Sequence, residues 1–95
     1  MIFKEIKMAV YSVSYDQNKT GQKYDDLIKE IKSFDGWCHA MDSYWFVCSN
    51  LSAEKVYEQL RKHTDDNDYL FVMETSKNRQ GWLKKVVWDW IDQHM

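Results

Sequence analysis

At 95 residues the chain has room for one hydrophobic core and not for a second domain. Three glycines, no proline, 44% hydrophobic residues and a set of five Trp, six Tyr and four Phe exclude a disordered or low-complexity class and predict a ring-rich core. A net charge of -2 supplies no overall attraction to a polyanion, so any contact with RNA or DNA must be local.

No apolar run approaches the roughly 20 residues that cross a bilayer, and the opening Met-Ile-Phe-Lys-Glu lacks a signal-peptide pattern. The expectation is a cytoplasmic chain with no membrane association. Cys38 and Cys48 then read as reduced thiols, and with His39 they lack the second ligand pair that a zinc site requires.

In chain order, Lys7 to Tyr15 is rich in β-branched and aromatic residues and predicts a first strand, with Asp16 at its C-terminal end. Apolar residues fall on both of its faces, Met8 and Val10 on one and Ala9, Tyr11 and Val13 on the other, as in a central strand. After a polar loop, Tyr24, Leu27, Ile28 and Ile31 recur at helical spacing and predict an amphipathic helix ending near Ser33. Asp35-Gly36 turns the chain into a short strand, Trp37 to Ala40, and Met41-Asp42-Ser43 turns it again into a third, Tyr44 to Cys48.

Ser52 is placed to cap a second helix whose stripe is Ala53, Val56, Tyr57 and Leu60 and which runs to about Lys62. The polar cluster from His63 to Asp68 separates it from a fourth strand, Tyr69 to Glu74. A basic loop follows, and Leu83, Val86, Val87, Trp90 and Ile91 predict a last amphipathic helix.

The order strand, helix, strand, strand, helix, strand is a split βαββαβ sandwich in the α+β class, with a core over about residues 8–74 and an added segment over 75–95. Right-handed crossovers make the first and third strands the central pair. Two helices cover one face of such a sheet. The other must be covered by the terminal helix or by a second subunit. Trp82 and Trp88 lie off the stripe of that helix, and an exposed Trp marks an interface with a protein partner.

Lys77, Arg79, Lys84 and Lys85, with Asn78 and Trp82 interleaved, form the segment best suited to phosphate contacts beside a stacked base; Lys19 and Lys23 are a weaker second group. His39 and His63 have no evident partner in the local sequence, and His94 stands where a cation favours the end of a helix.

Val10-Tyr11-Ser12-Val13-Ser14-Tyr15-Asp16, Ser43-Tyr44-Trp45-Phe46-Val47 and Asp68-Tyr69-Leu70-Phe71-Val72 together resemble the second CRISPR-associated protein family. The likeness spans roughly Met8 to Glu74 and is nearest to stand-alone relatives labelled SinR, more distantly to the virulence-associated protein D group. It implies a ferredoxin-like homodimer with an aspartate near the dimer dyad, the position that Asp16 takes here. In that family the aspartate pair is linked to metal-dependent phosphodiester cleavage, while many members act as scaffolds that hold DNA. The Trp-rich terminal helix departs from the family's pattern, which continues with an extra strand crossing to the partner.

A carboxylate from each of two copies would hold one Mg²⁺ or Mn²⁺ with waters completing the shell, and Ser14 and Tyr15 are neighbours that would orient Asp16. An aspartate that simply ends a strand and accepts hydrogen bonds from the next loop fits the residues as well. Two functions therefore stand side by side. One is a non-catalytic dimeric scaffold or adaptor in a mobile-element, toxin-antitoxin or defence setting. The other is a divalent-metal-dependent nuclease acting on RNA or DNA.

Overall fold

The computed structural model describes residues 8–17 and 22–95. Its elements in chain order are β1 (Ala9–Asp16), α1 (Gln22–Ile31), β2 (Gly36–Met41), β3 (Tyr44–Ser49), α2 (Ala53–Arg61), β4 (Tyr69–Glu74) and α3 (Lys85–His94). The four strands form one antiparallel sheet in the order β2-β3-β1-β4, the ferredoxin-like arrangement with a helix added at its C-terminal end. The central pair is β1 and β3, as the crossover argument requires.

Strand alternation divides the core in two. On one face Tyr11, Val13 and Tyr15 of β1 and Trp45 and Val47 of β3 meet Leu27 and Ile31 of α1 and Val56 and Leu60 of α2, with Leu70 and Val72 of β4 packed alongside. The buried ring polar groups of this face have partners. The Trp45 indole N–H donates to the Tyr15 hydroxyl at 3.1 Å, and the Tyr11 hydroxyl donates to the Leu51 carbonyl at 2.6 Å. The α2 helix begins as its residues dictate, with the Ser52 hydroxyl accepting from the Lys55 backbone N–H at 3.2 Å.

The opposite face is smaller. Val10 and Phe46 are buried there under Val87 and Ile91 of α3, with Cys38, Ala40, Tyr44, Leu83, Trp88 and Trp90 around them. The terminal helix thus covers its own sheet. The buried stripe departs from the expected one at a single residue: Val86 is 69% exposed, while Val87 and Ile91, four apart, point inward and Trp88 flanks them. The seat of α3 is close over Gly36, where a Cβ would lie 3.3 Å from Cys48, Trp90 and His94.

Between β2 and β3 the turn places Ser43 at φ 56°, a left-handed backbone that suits few residues other than Gly, Asn and Asp. Cys38 and Cys48 are free thiols, and burial raises both above the ordinary thiol value, so neither is a poised nucleophile. Among the described residues no helix is long and apolar enough to cross a membrane.

Candidate functional site

Because α3 lies over β1, β3 and β2, the edge strand β4 has no cover on that side. Its inward residues Leu70 and Val72 join the larger core, so the alternate set must face outward. Tyr69 is 74%, Phe71 61% and Met73 52% exposed. Across the β1–β4 ladder these three stand opposite Asp16, Ser14 and Ser12. The open half of the face is therefore an apolar strip along β4 beside a polar strip along β1.

Asp16 is exposed at the end of β1 and borders a shallow depression with Ser14, Tyr69 and Phe71. Tyr15 does not orient it. The Tyr15 side chain turns to the other face of the sheet, where it is buried against Trp45, and burial first of all pushes its phenol up to about 12. Ser14 is the neighbour that shares the face with Asp16. Among the described residues no group of three or more His, Cys, Asp and Glu is gathered for a metal ion.

At the other end of the open face a groove of about 410 Å³ runs between β4 and the segment over 75–84. Phe46, Ile91, Leu83 and Trp88 form its apolar lining with Met41, Met73 and Trp82, of which Trp82 is 100% exposed. Asn78 and Arg79 also line it. Two of its lining residues each carry a buried polar atom without a hydrogen-bond partner, Thr75 Oγ1 and Arg79 Nε.

The structure does not bring the basic segment together as one phosphate site. Arg79 donates to Asp92 and to the Ser76 carbonyl, each at 3.1 Å, and Lys85 pairs with Asp89 at 2.7 Å. Lys77 lies on the other side of the segment, near Met8, Glu74 and His94, and Lys84 precedes α3 as its exposed N-cap. Asn78, Arg79, Trp82 and Trp88 do share the groove. Lys23 is paired with Asp65, and Lys19 lies outside the described residues.

The histidines have partners that linear sequence hides. His63 Nε2 is 2.9 Å from Glu30, which also accepts from Gln59 at 2.8 Å and from Ser33 at 3.0 Å. Burial pushes the Glu30 carboxyl up, but the hydrogen bonds from His63, Gln59 and Ser33 and the Lys62 charge outweigh it, leaving a net value below the ordinary one. This cluster ties α1 to the end of α2. His39 stacks on Trp45 with ring centres 4.0 Å apart, next to Trp37 and the Lys32 ammonium. His94 stacks on Trp90 and meets its carbonyl at 2.7 Å.

No protein-family model matches the chain, and no curated protein or solved structure proves similar to it. The functional reading therefore rests on geometry and chemistry.

Proposed function

We propose that this chain is a non-catalytic scaffold that works as a homodimer joined through the uncovered half of its α3-bearing sheet face. The observation that carries this reading is the strip Tyr69, Phe71 and Met73, continuous at Met73 with the groove and with Trp82. An aromatic side chain carries roughly 150 to 250 Å², so at their exposures these four residues present about 500 Å² of apolar surface. That is as large as the largest patch on a typical monomer, and with its polar border it approaches the roughly 800 Å² per partner of a standard interface. A symmetric self-contact is the simplest cover, because it needs one self-complementary patch and no second protein. Lys77 and Lys84, which make no ion pair among the described residues, would remain at the rim of such a dimer as local contacts for RNA or DNA. A mobile-element, toxin-antitoxin or defence setting, which the resemblance of the strand segments to the second CRISPR-associated protein family implies, is part of this proposal.

A metal-dependent nuclease is the second reading, and one observation favours it: Asp16 lies exposed on the same open face, directly across the ladder from Tyr69. A dyad at that end would bring two carboxylates together around Mg²⁺ or Mn²⁺.

Light scattering on wild type and Phe71→Lys, with single-stranded RNA and DNA incubated with the same samples in Mg²⁺ or Mn²⁺, tests the two. The scaffold reading expects a dimer, a monomeric variant and intact nucleic acid. A monomeric wild type overturns it. Cleavage that disappears in Asp16→Asn replaces it with the nuclease.

A further inference from the structure

We infer that Trp82 is the anchor of this dimer, each copy inserting its indole into the groove of the other. The inference rests on the dimeric reading above and adds to it the position of the dyad.

A tryptophan wholly in water is the most expensive feature of the surface, since it leaves the largest apolar side chain unburied. The segment 75–84 brings Trp82 to the edge of its own groove, and the next residue, Leu83, packs against the smaller core. A fully exposed side chain that borders a groove is an arrangement that a twofold axis can convert into mutual insertion. In an isologous contact, what projects from one copy beside a recess meets the recess of the other.

The groove suits an indole in size and in chemistry. A cavity of about 150 Å³ accepts a benzene ring, so a recess of about 410 Å³ has room for the larger fused ring. Its lining offers Phe46 and Trp88 for edge or offset stacking. The Arg79 guanidinium, held by Asp92, borders the groove and supplies a cation beside the ring. A polyanion is the poorer occupant, because Glu74 lines the same groove and Arg79 is already paired.

Mutual insertion fixes the dyad near Met73 and its ladder partner Ser12, which both line the groove. Asp16 lies four residues further along β1 and so roughly 13 Å from there at about 3.3 Å per residue. Two Asp16 carboxylates would then stand roughly 25 Å apart, far beyond the roughly 2.1 Å at which Mg²⁺ binds oxygen. A Trp82-anchored dimer does not use Asp16 as a shared metal site.

The test measures self-association of wild type, Trp82→Ala, Phe71→Lys and Asp16→Asn by sedimentation equilibrium with and without Mg²⁺. Trp82 is fully exposed, so its removal leaves the fold intact, which circular dichroism checks. The expected result is a dissociation constant at least about thirtyfold weaker for Trp82→Ala, as for a central Trp anchor, and no change for Asp16→Asn in either condition. A Trp82→Ala dimer as tight as wild type, with Phe71→Lys monomeric, overturns the anchor and leaves the dimer standing. Association that needs Mg²⁺ and fails in Asp16→Asn moves the dyad to Asp16 and also overturns it. A monomeric wild type removes both readings.

Discussion

The two faces of the sheet are built from the same strands and differ in how completely they are closed. Under α1 and α2, Leu27, Ile31, Val56 and Leu60 are buried to the last atom, and the hydroxyls and indole among them have partners. Under α3 the buried hydrophobic cluster among the described residues is only Val10, Phe46, Val87 and Ile91, one edge strand is bare, and Thr75 Oγ1 and Arg79 Nε lack partners. A single ten-residue helix spans too little width to cover four strands roughly 4.8 Å apart. The first face is thus a finished core and sets stability. The second is half a core and half a surface, which is where a partner belongs.

The largest expected effect breaks the finished face. Leu60→Ala should cost about 3 to 4 kcal/mol, in the upper part of the range for a well-packed leucine, whereas Ile91→Ala in the half-open face should cost about 2 kcal/mol. Urea denaturation measures both. Equal losses would mean that the two faces are equally tight and that the contrast is wrong.

A smaller effect probes the seat of α3. Gly36→Ala puts a methyl group 3.3 Å from Cys48, Trp90 and His94, so these side chains must give by a few tenths of an ångström, and overpacking that they do not relieve costs about 1 kcal/mol or more. The accompanying change should be faster hydrogen exchange over 85–94 with little change over 53–61. A uniform loss of protection would show instead that α3 and the main core open as one unit.

The smallest effect is acid sensitivity of the helix pair. The Glu30 carboxyl lies below its ordinary value of 4.5 in the fold, so its contribution is complete above that pH and is lost as pH falls through the lower folded value. Acid titration of stability should show a slope in that window that Glu30→Gln flattens. A wild type and variant that lose stability in parallel would show that the His63, Gln59 and Ser33 contacts contribute nothing.

Much of the fold was legible because its signals are local. The spacing of Tyr24, Leu27, Ile28 and Ile31 gives a helix wherever it lies, Ser52 caps the next one, and the polar stretch up to Asp68 sets the start of β4 at Tyr69, where the structure has it. The exposure of Val86 was not legible, since apolar content at helical spacing does not say which of two adjacent valines turns inward. Asp16 could be placed, because a charged residue ends an apolar run. Its neighbours required strand alternation, which sends Tyr15 to the opposite face. The groove was the least legible part. Met41, Met73, Asn78 and Trp82 are brought together by the path of a segment with no regular structure, and pairs such as His63 with Glu30 depend on two helices docking. The bare edge was signalled only indirectly, by a topology that leaves the fourth strand outermost under one terminal helix.

The central claim is that the uncovered β4 half of the α3 face is an interface between two copies, and hydrogen–deuterium exchange of the wild type across protein concentrations tests it at the right residues. The account predicts that peptides covering 69–74 and 79–84 gain protection as concentration rises, while those covering α1 and α2 do not change. Protection that is independent of concentration over 69–74, or that grows instead over the helical face, would contradict it.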